Sequence, residues 1–356
     1  MTQTPLPAEG ADTLFISASF FGYAKAIKAA LEARGRRVAW FEDRPRTDAG
    51  SKALIRLFPS AMQGLSDSYF RGIAERLRGH PIRDVLIIKG EALSIAATQE
   101  LRRAFPQARF TLYFWDSYRN MGRESPAKVS LFDAAYTFDP VDAEADLRLR
   151  YRPLFYRSEY AQLPLLDSEV DLLFVGTAHT DRFAIMQRIA NQLPPTLRFR
   201  RVMYLPSRGF FELRRVLDSR LWRARREDFV FAPLSFAQVL RLVASARTLI
   251  DIERAVQAGL TMRTIEALGA GRKLVTTNAQ ILRADFYDAR NICVIDRHRP
   301  AVPLEFLSVA YLRPTEGILR KYSLEGWLDE VMPGAPAVAE SPFEKSVCGV
   351  PLRAVA

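Results

Sequence analysis

Only two cysteines, Cys293 and Cys348, occur in 356 residues, and neither belongs to a CxxC pair. A disulfide framework and a cysteine zinc site are thereby excluded as organising features. The three histidines, His80, His179 and His298, stand far apart. A histidine metal site would need assembly from distant segments, and no metal is expected. No apolar run approaches the ~18–20 residues of a membrane-spanning helix. The opening MTQTPLPAEGADT has neither the basic start nor the apolar stretch of a signal peptide, so a cytosolic protein is expected. Three motifs are missing as well. No GxGxxG follows the first apolar run, no GxxxxGK(S/T) occurs, and there is no GxSxG elbow. Dehydrogenase and P-loop chemistry are correspondingly disfavoured.

Positive charge, in contrast, is plentiful. Lysine and arginine number 51 against 40 acids, a net charge of +11 carried mostly by arginine. Such a surface attracts polyanions, and the arginine fork matches phosphate oxygens in pairs. Hydrophobic residues at 49% and charged residues at 26% suit a soluble globular chain, and the length suits two domains.

The pattern of apolar residues divides the chain into two similar halves. Residues 13–18 (TLFISA) predict a buried strand. Tyr23, Ile27, Ala30 and Leu31 recur at helical spacing until Gly35, and RVAWFE follows as a second strand. Residues 50–80 and 94–104 predict helices, and 84–90, 109–115 and 134–138 predict strands. From residue 170 the alternation starts again. Strands are expected at 170–176, 197–205, 247–253, 272–278 and 291–296, and helices at 180–193, 236–246 and 261–271. The predicted fold is therefore α/β, with two doubly wound Rossmann-like domains facing across a cleft. Residues 1–160 form the first, 165–333 the second, and 334–356 an aperiodic, mobile tail. The proline-marked stretch 151–169 is expected to be an interdomain linker.

The most informative local segment is 251–278, DIERAVQAGLTMRTIEALGAGRKLVTTN. It reads strand, loop, helix, glycine turn, strand. The free N–H groups of a helix starting near Thr261 can hold a phosphate. Glu266 sits on that helix among Ile265, Ala267 and Leu268. It needs a partner there: either a ribose diol, whose two hydroxyls a carboxylate can accept, or simply Arg263.

This segment resembles the donor-binding element of GT-B glycosyltransferases, and the chain looks most like bacterial CgeB-like and lipopolysaccharide or capsular polysaccharide biosynthesis members. LFISASFFGYAKAIKAALEARGRRVAWFEDRP, VLIIKGEAL, TLYFWDSYRN, AAYTFDPVDA, DLLFVGTAHTDRF and ADFYDARNICVIDR carry the likeness in order across residues 14–297. Many GT-B enzymes place two glutamates eight positions apart. Here Glu266 matches the second, and Ala258 stands at the first, leaving Glu253 or Gln257 to replace it.

The resemblance implies transfer of a sugar from a nucleotide-diphosphate donor, a co-substrate rather than a cofactor, to a surface-polysaccharide or glycolipid acceptor without a metal. Glu266 would then hold the ribose. Gly259, Leu260 and Thr261 would offer backbone N–H groups to the diphosphate, and Arg263, ahead of Lys273, would neutralise it; Lys273 opens a strand and is either a second such cation or simply solvated. In GTAHTDR, Gly176 allows close approach, Thr177 supplies a hydroxyl, and Asp181 is positioned to cap the next helix. Arg182 opposes the helix dipole, which calls for a nearby anion. Asp116 ends an apolar strand and points into the cleft as general base, or caps the SYRN turn; His179 is the second candidate. Arg119 and Asn120 are candidates for acceptor or phosphate contact. Lys89 and Glu91 form either an acceptor pair or a plain ion pair. Asp139 is expected to fix the turn before Pro140.

Residues 198–226 hold ten arginines against two acids, with Phe210, Phe211, Leu213, Leu217, Leu221 and Trp222 in an approximate helical stripe. The stripe suits an anionic membrane surface on the inner face of the cell membrane, or a solvated surface helix. Two rival functions remain open: a nucleotide-sugar epimerase or hydrolase of the same fold, and a basic nucleic-acid-binding protein. The resemblance disfavours nucleic acid.

Overall fold

The computed structural model describes residues 7, 10–19, 21–44, 59–121, 124–164, 169–255 and 257–334. The predicted tail beyond Gly334, Cys348 and residues 50–58 of the predicted helix lie outside them.

The first half builds a parallel six-stranded sheet. Its strands are β1 (Thr13–Ile16), β2 (Val38–Phe41), β3 (Asp84–Ile88), β4 (Arg109–Phe114), β5 (Ala134–Thr137) and β6 (Leu149–Tyr151), in the order β2-β1-β3-β4-β5-β6. The second half repeats the plan with β7 (Val170–Thr177), β8 (Phe199–Tyr204), β9 (Phe229–Val230), β10 (Ala246–Asp251), β11 (Lys273–Thr276) and β12 (Ile292–Val294). Their order is β12-β11-β10-β7-β8-β9, again all parallel. Helices α1 (Tyr23–Ala33), α2 (Pro59–Arg76), α3 (Ile95–Ala104), α4 (Ser125–Lys128), α5 (Pro140–Ala145) and α6 (Ser158–Ala161) belong to the first half of the chain. They are followed by α7 (Arg182–Ala190), α8 (Arg208–Leu217), α9 (Phe236–Ala244), α10 (Met262–Gly269), α11 (Leu304–Ser308), α12 (Glu316–Tyr322) and α13 (Leu324–Val331).

The central strands are apolar on both faces because helices cover both faces. Leu14, Ile16, Val85 and Ile87 point to one side of the first sheet, where Phe70, Ile73 and Leu101 of α2 and α3 meet them. Phe15, Leu86 and Ile88 point to the other, and there the core continues without a break into Leu249, Ile265 and Leu274 of the second half. The far face of the second sheet closes separately around Leu172, Phe174, Ile250 and Val275.

Two short edge strands, β6 and β9, were not expected. Three and two residues are too few to show an alternation. The stretch expected as an interdomain linker lies between β6 and β7, and part of it is packed inside the molecule. Leu154, Phe155, Tyr156 and Tyr160 are buried in the shared core. The Tyr156 amide donates to Tyr322 O at 2.9 Å, and its carbonyl accepts from the Leu324 amide at 3.0 Å. Gly269, ending α10, follows from this passage: a Cβ there would lie 2.3 Å from the Tyr156 ring.

Chain order and packing part company at the end. α13 follows the second sheet but returns to the first half. Fully buried Trp327 meets Tyr113 at 4.9 Å and Phe155 at 4.8 Å between ring centroids. Tyr136 donates to Glu330 O at 2.9 Å, and Arg34 pairs with Asp329 at 2.9 Å. Trp327→Ala should therefore cost about 3–5 kcal/mol of unfolding free energy. A urea midpoint within error of wild type would contradict this packing.

Candidate active site

In both sheets most of the functional candidates stand at or just beyond the carboxyl ends of strands, where open α/β sheets bind ligands. Two contacts bring these ends together. Tyr23, the first residue of α1, donates its hydroxyl to Glu266 Oε1 on α10, 243 positions away. Gly259, before α10, lies so close to Phe138 after β5 that a Cβ would meet that ring at 2.4 Å.

Glu266 is only 6% exposed. Its second oxygen pairs with Arg263 Nη1 at 2.7 Å, one turn earlier on α10. Burial first, and then the charge of Glu266, raise the Tyr23 phenol well above its ordinary value, so it stays a donor. The Tyr160 phenol is raised likewise, by burial and then by Glu266. Glu266 is thus the acceptor at the centre of a buried Tyr23–Arg263–Tyr160 cluster.

The loop before α10 is braced from beneath. Thr261 caps the helix by accepting from the Thr264 amide at 3.3 Å, and its hydroxyl donates to Asp251 at the end of β10. The carbonyl of Gly259 accepts from Gln257 Nε2 at 3.0 Å and Asn278 Nδ2 at 3.3 Å. The Gln257 amide is therefore committed to the loop. Leu260 is buried in the shared core.

In the β7–α7 turn, Arg182 Nε donates to Ile252 O at 2.7 Å and Nη1 to Thr177 O at 3.1 Å. These carbonyls account for a cation at a helix start. A Cβ on Gly176 would come within 3.3 Å of that guanidinium, so glycine leaves room for it; Thr177 is exposed beside it. Asp181 precedes the helix but makes no side-chain cap, contrary to expectation. Arg297 claims its carboxylate through both oxygens, at 2.8 and 2.9 Å. The same guanidinium holds Glu253 Oε1 at 2.8 Å, while Thr277 donates to Oε2 at 2.6 Å. Nothing in the sequence pattern singled out Arg297, whose partners are 44 and 116 positions away. His179 is pushed down to about pKa 4 by burial and by Arg182 and Arg254, an exposed cation of the same rim. Its imidazole is neutral at working pH.

On the first sheet, Asp116 Oδ1 accepts from Asn120 Nδ2 at 2.8 Å and the Ser117 amide at 3.1 Å. Oδ2 lies 3.7 Å from Lys89 Nζ. Asp116 therefore caps its turn and keeps one oxygen toward a cation. Lys89 also pairs with Glu91 at 2.9 Å, and Arg44 joins that carboxylate. Burial opposes ionisation of Glu91, yet Lys89 and Arg44 hold it below its ordinary value. Arg119 and Asn120 are exposed. Asp139 caps α5 by accepting from the Val141 amide at 2.9 Å. Asp43, after β2, escaped notice in the sequence. Burial lifts its carboxyl to about pKa 6, and its Oδ2 has no hydrogen-bond partner among the described residues. The signal was present: an acid directly after a strand.

Lys273 does not join this site. It opens β11, at the amino end of the sheet, and its ammonium donates to the carbonyls of Phe306 and Val309. Its side chain is a buried brace, so the expected diphosphate contact is corrected. No group of three or more potential metal-ligating side chains gathers among the described residues.

With this geometry established, known structures show the same architecture. An α,α-trehalose-phosphate synthase (UDP-forming) from Burkholderia vietnamiensis superposes with a TM-score of 0.62 at 12% identity, covering 90% of this chain and 98% of that one. The Burkholderia xenovorans enzyme in complex with glucose-6-phosphate gives 0.60 at 12%, covering 91% and 99%. Anabaena Alr3699/HepE in complex with UDP and glucose gives 0.54 at 12%, covering 89% and 97%. The fold is GT-B. No protein-family model and no curated protein matches the sequence.

The neutral imidazole has a consequence for stability. Unfolded, His179 takes a proton near its ordinary 6.5; folded, it waits until about pH 4. Between those values the unfolded state binds more protons. His179 thus contributes stability that is complete above pH 6.5 and is lost as the pH falls toward 4. Asp43 has the opposite sign, since its carboxyl is raised from 3.8 to about 6. The measurement that isolates His179 is the unfolding free energy of wild type minus that of His179→Gln, which should shrink from pH 7 to pH 4. A pH-independent difference contradicts the half-buried neutral imidazole.

Proposed function

We propose that the protein is a glycosyltransferase that moves a sugar from a nucleotide-diphosphate donor to a carbohydrate or lipid-linked acceptor held against the first domain. The observation that carries this reading is Glu266, an acceptor carboxylate at the domain interface of a GT-B fold, on a helix whose N-terminal loop packs against Phe138 of the first domain. The ribose would take the place of the Tyr23 hydroxyl on Glu266. The Gly259–Thr261 amides, the start of α10 and Arg263 would face the diphosphate, with Gly176, Thr177 and Arg182 across from them. The ligands named in the structures of similar fold, UDP, glucose and glucose-6-phosphate, are consistent with this class of substrates.

Transfer requires the acceptor hydroxyl to lose its proton as its oxygen bonds to the anomeric carbon and the nucleotide diphosphate departs with the electrons of the broken bond. Asp116 Oδ2 is the oxygen that can take that proton in an inverting reaction. The neutral His179 is the alternative base. Lys89, Glu91, Arg119 and Asn120 stand beside Asp116 for the acceptor. In this reading the leaving charge is met by side chains and amides, without a metal.

Calorimetry and turnover separate the two roles. Glu266→Ala should weaken UDP binding by roughly 10–100-fold, the cost of a charged hydrogen bond. Tyr23→Phe, which removes only the competing donor, should bind UDP at least as tightly as wild type. Asp116→Asn should keep UDP affinity and lower transfer by about 10²–10⁴-fold. Unchanged affinity in Glu266→Ala removes the donor role. Full turnover without an acceptor favours an epimerase or hydrolase.

The surface-glycan or glycolipid acceptor is supported by the basic segment, in a form different from one continuous stripe. The chain from 198 to 226 is a strand, the helix α8 and a 3-10 turn at Ser219–Leu221. Phe211 and Leu221 turn into the core, while Leu213, Val216, Leu217 and Trp222 stay exposed, Trp222 at 68%. Arg214 and Arg220 pair with Asp218, and Arg215 and Arg226 with Glu212. Arg208, Arg223 and Arg225 are exposed around the apolar face. No helix among the described residues is long and apolar enough to cross a membrane, so the association would be peripheral. Each basic residue near an anionic bilayer contributes on the order of 1 kcal/mol. Replacing Arg223, Arg225 and Arg226 with Gln should release the protein from phosphatidylserine vesicles at low salt. Wild type that ignores those vesicles overturns this surface role.

A further inference from the structure

A second cavity opens between the two halves, with a volume of about 680 Å³, inside the range of small-molecule sites. Neither Asp116, His179 nor Glu266 lines it; Leu260 is the one residue it shares with the donor loop. Its walls come from α5 and β6 of the first domain and from α12, α13 and the 3-10 turn Ala279–Arg283.

The lining has an unusual charge balance. Three cations each face their own carboxylate: Arg283 with Glu144 at 2.7 Å, Lys321 with Asp285 at 2.6 Å, and Arg152 with Glu330 at 2.8 Å. No cationic excess remains for a phosphate, and no acidic excess for a metal ion. Side-by-side guanidinium donors and carboxylate acceptors suit neighbouring hydroxyl groups, each of which both donates and accepts. Tyr151, half exposed, adds an aromatic face, and Leu149, Pro153 and Leu260 add apolar surface. Arg152 is 1% exposed, and its Nη1 has no acceptor among the described residues. An orphaned donor of this kind is a cost that a hydroxyl oxygen within reach recovers.

We infer that this cavity is a binding site for a neutral, hydroxyl-rich ligand, a short oligosaccharide, separate from the nucleotide cleft. Because its walls belong to both halves, an occupant bridges them. The Glu144–Arg283 pair, which already spans the two domains, would be part of the site.

Saturation-transfer NMR with maltotriose, cellotriose and mannotriose tests this on the full chain, with UDP and inorganic phosphate as controls. At least one trisaccharide should receive saturation from wild type, and excess UDP should not displace it. Tyr151→Ala and Arg283→Ala, both at exposed positions, should weaken that sugar by about tenfold or more while circular dichroism stays unchanged. The site is overturned if no trisaccharide binds, if UDP or phosphate displaces the sugar, or if both folded variants bind it like wild type. UDP binding is read separately in the same samples. Its absence would remove the nucleotide cleft while leaving the sugar result standing.

Discussion

A phenol on the first half of the chain donates to a carboxylate on the second, and both are out of water. Around this one contact the interface is organised. A buried carboxylate with a partner removed would cost several kcal/mol, so Glu266 depends on Tyr23 and Arg263 being where they are. Tyr23 in turn is set by Gly22, whose left-handed backbone (φ 76°) precedes the first residue of α1. Its ring is wedged between Trp115 and Phe155. The polar contact is thus held by an apolar frame that belongs to both domains. A ligand that competes for Glu266 also competes with the seam of the molecule.

The arginines divide into two populations with different work. One is internal: Arg34, Arg152, Arg182, Arg272 and Arg297 tie distant backbone carbonyls and carboxylates together. A planar fork with five donors satisfies several acceptors at once in fixed directions, which a lysine ammonium on its flexible stem does less well. The other is external and gathers around α8, where four of its members share two acids, Glu212 and Asp218, so that a positive excess remains.

Much of the architecture was legible because parallel strands covered on both faces leave long apolar runs. β3, β4, β7 and β10 are such runs, and the helices between them carry regular spacing. The carboxyl ends of strands, where Asp116, Thr177 and the 259–261 loop stand, followed from the same alternation. Edges and crossings were not legible. β6 and β9 are too short to carry a period. Tyr156 and Trp327 look like ordinary aromatics until the chain passes between domains and brings them into one core. Lys273 opens a strand as expected, but only the packing shows that its ammonium is taken by the carbonyls of Phe306 and Val309.

The sequence by itself determined two βα-alternating halves, helix α10 with its start near Thr261, and the identity of the acids and bases at the strand ends, because these depend on residues a few positions apart. Only the tertiary structure decided which of them meet. Tyr23 with Glu266, Arg297 with Asp181 and Glu253, and Arg152 with Glu330 are separated by 44 to 243 positions. Such pairings are settled by how two sheets and a returning helix pack, and a local pattern carries no record of that.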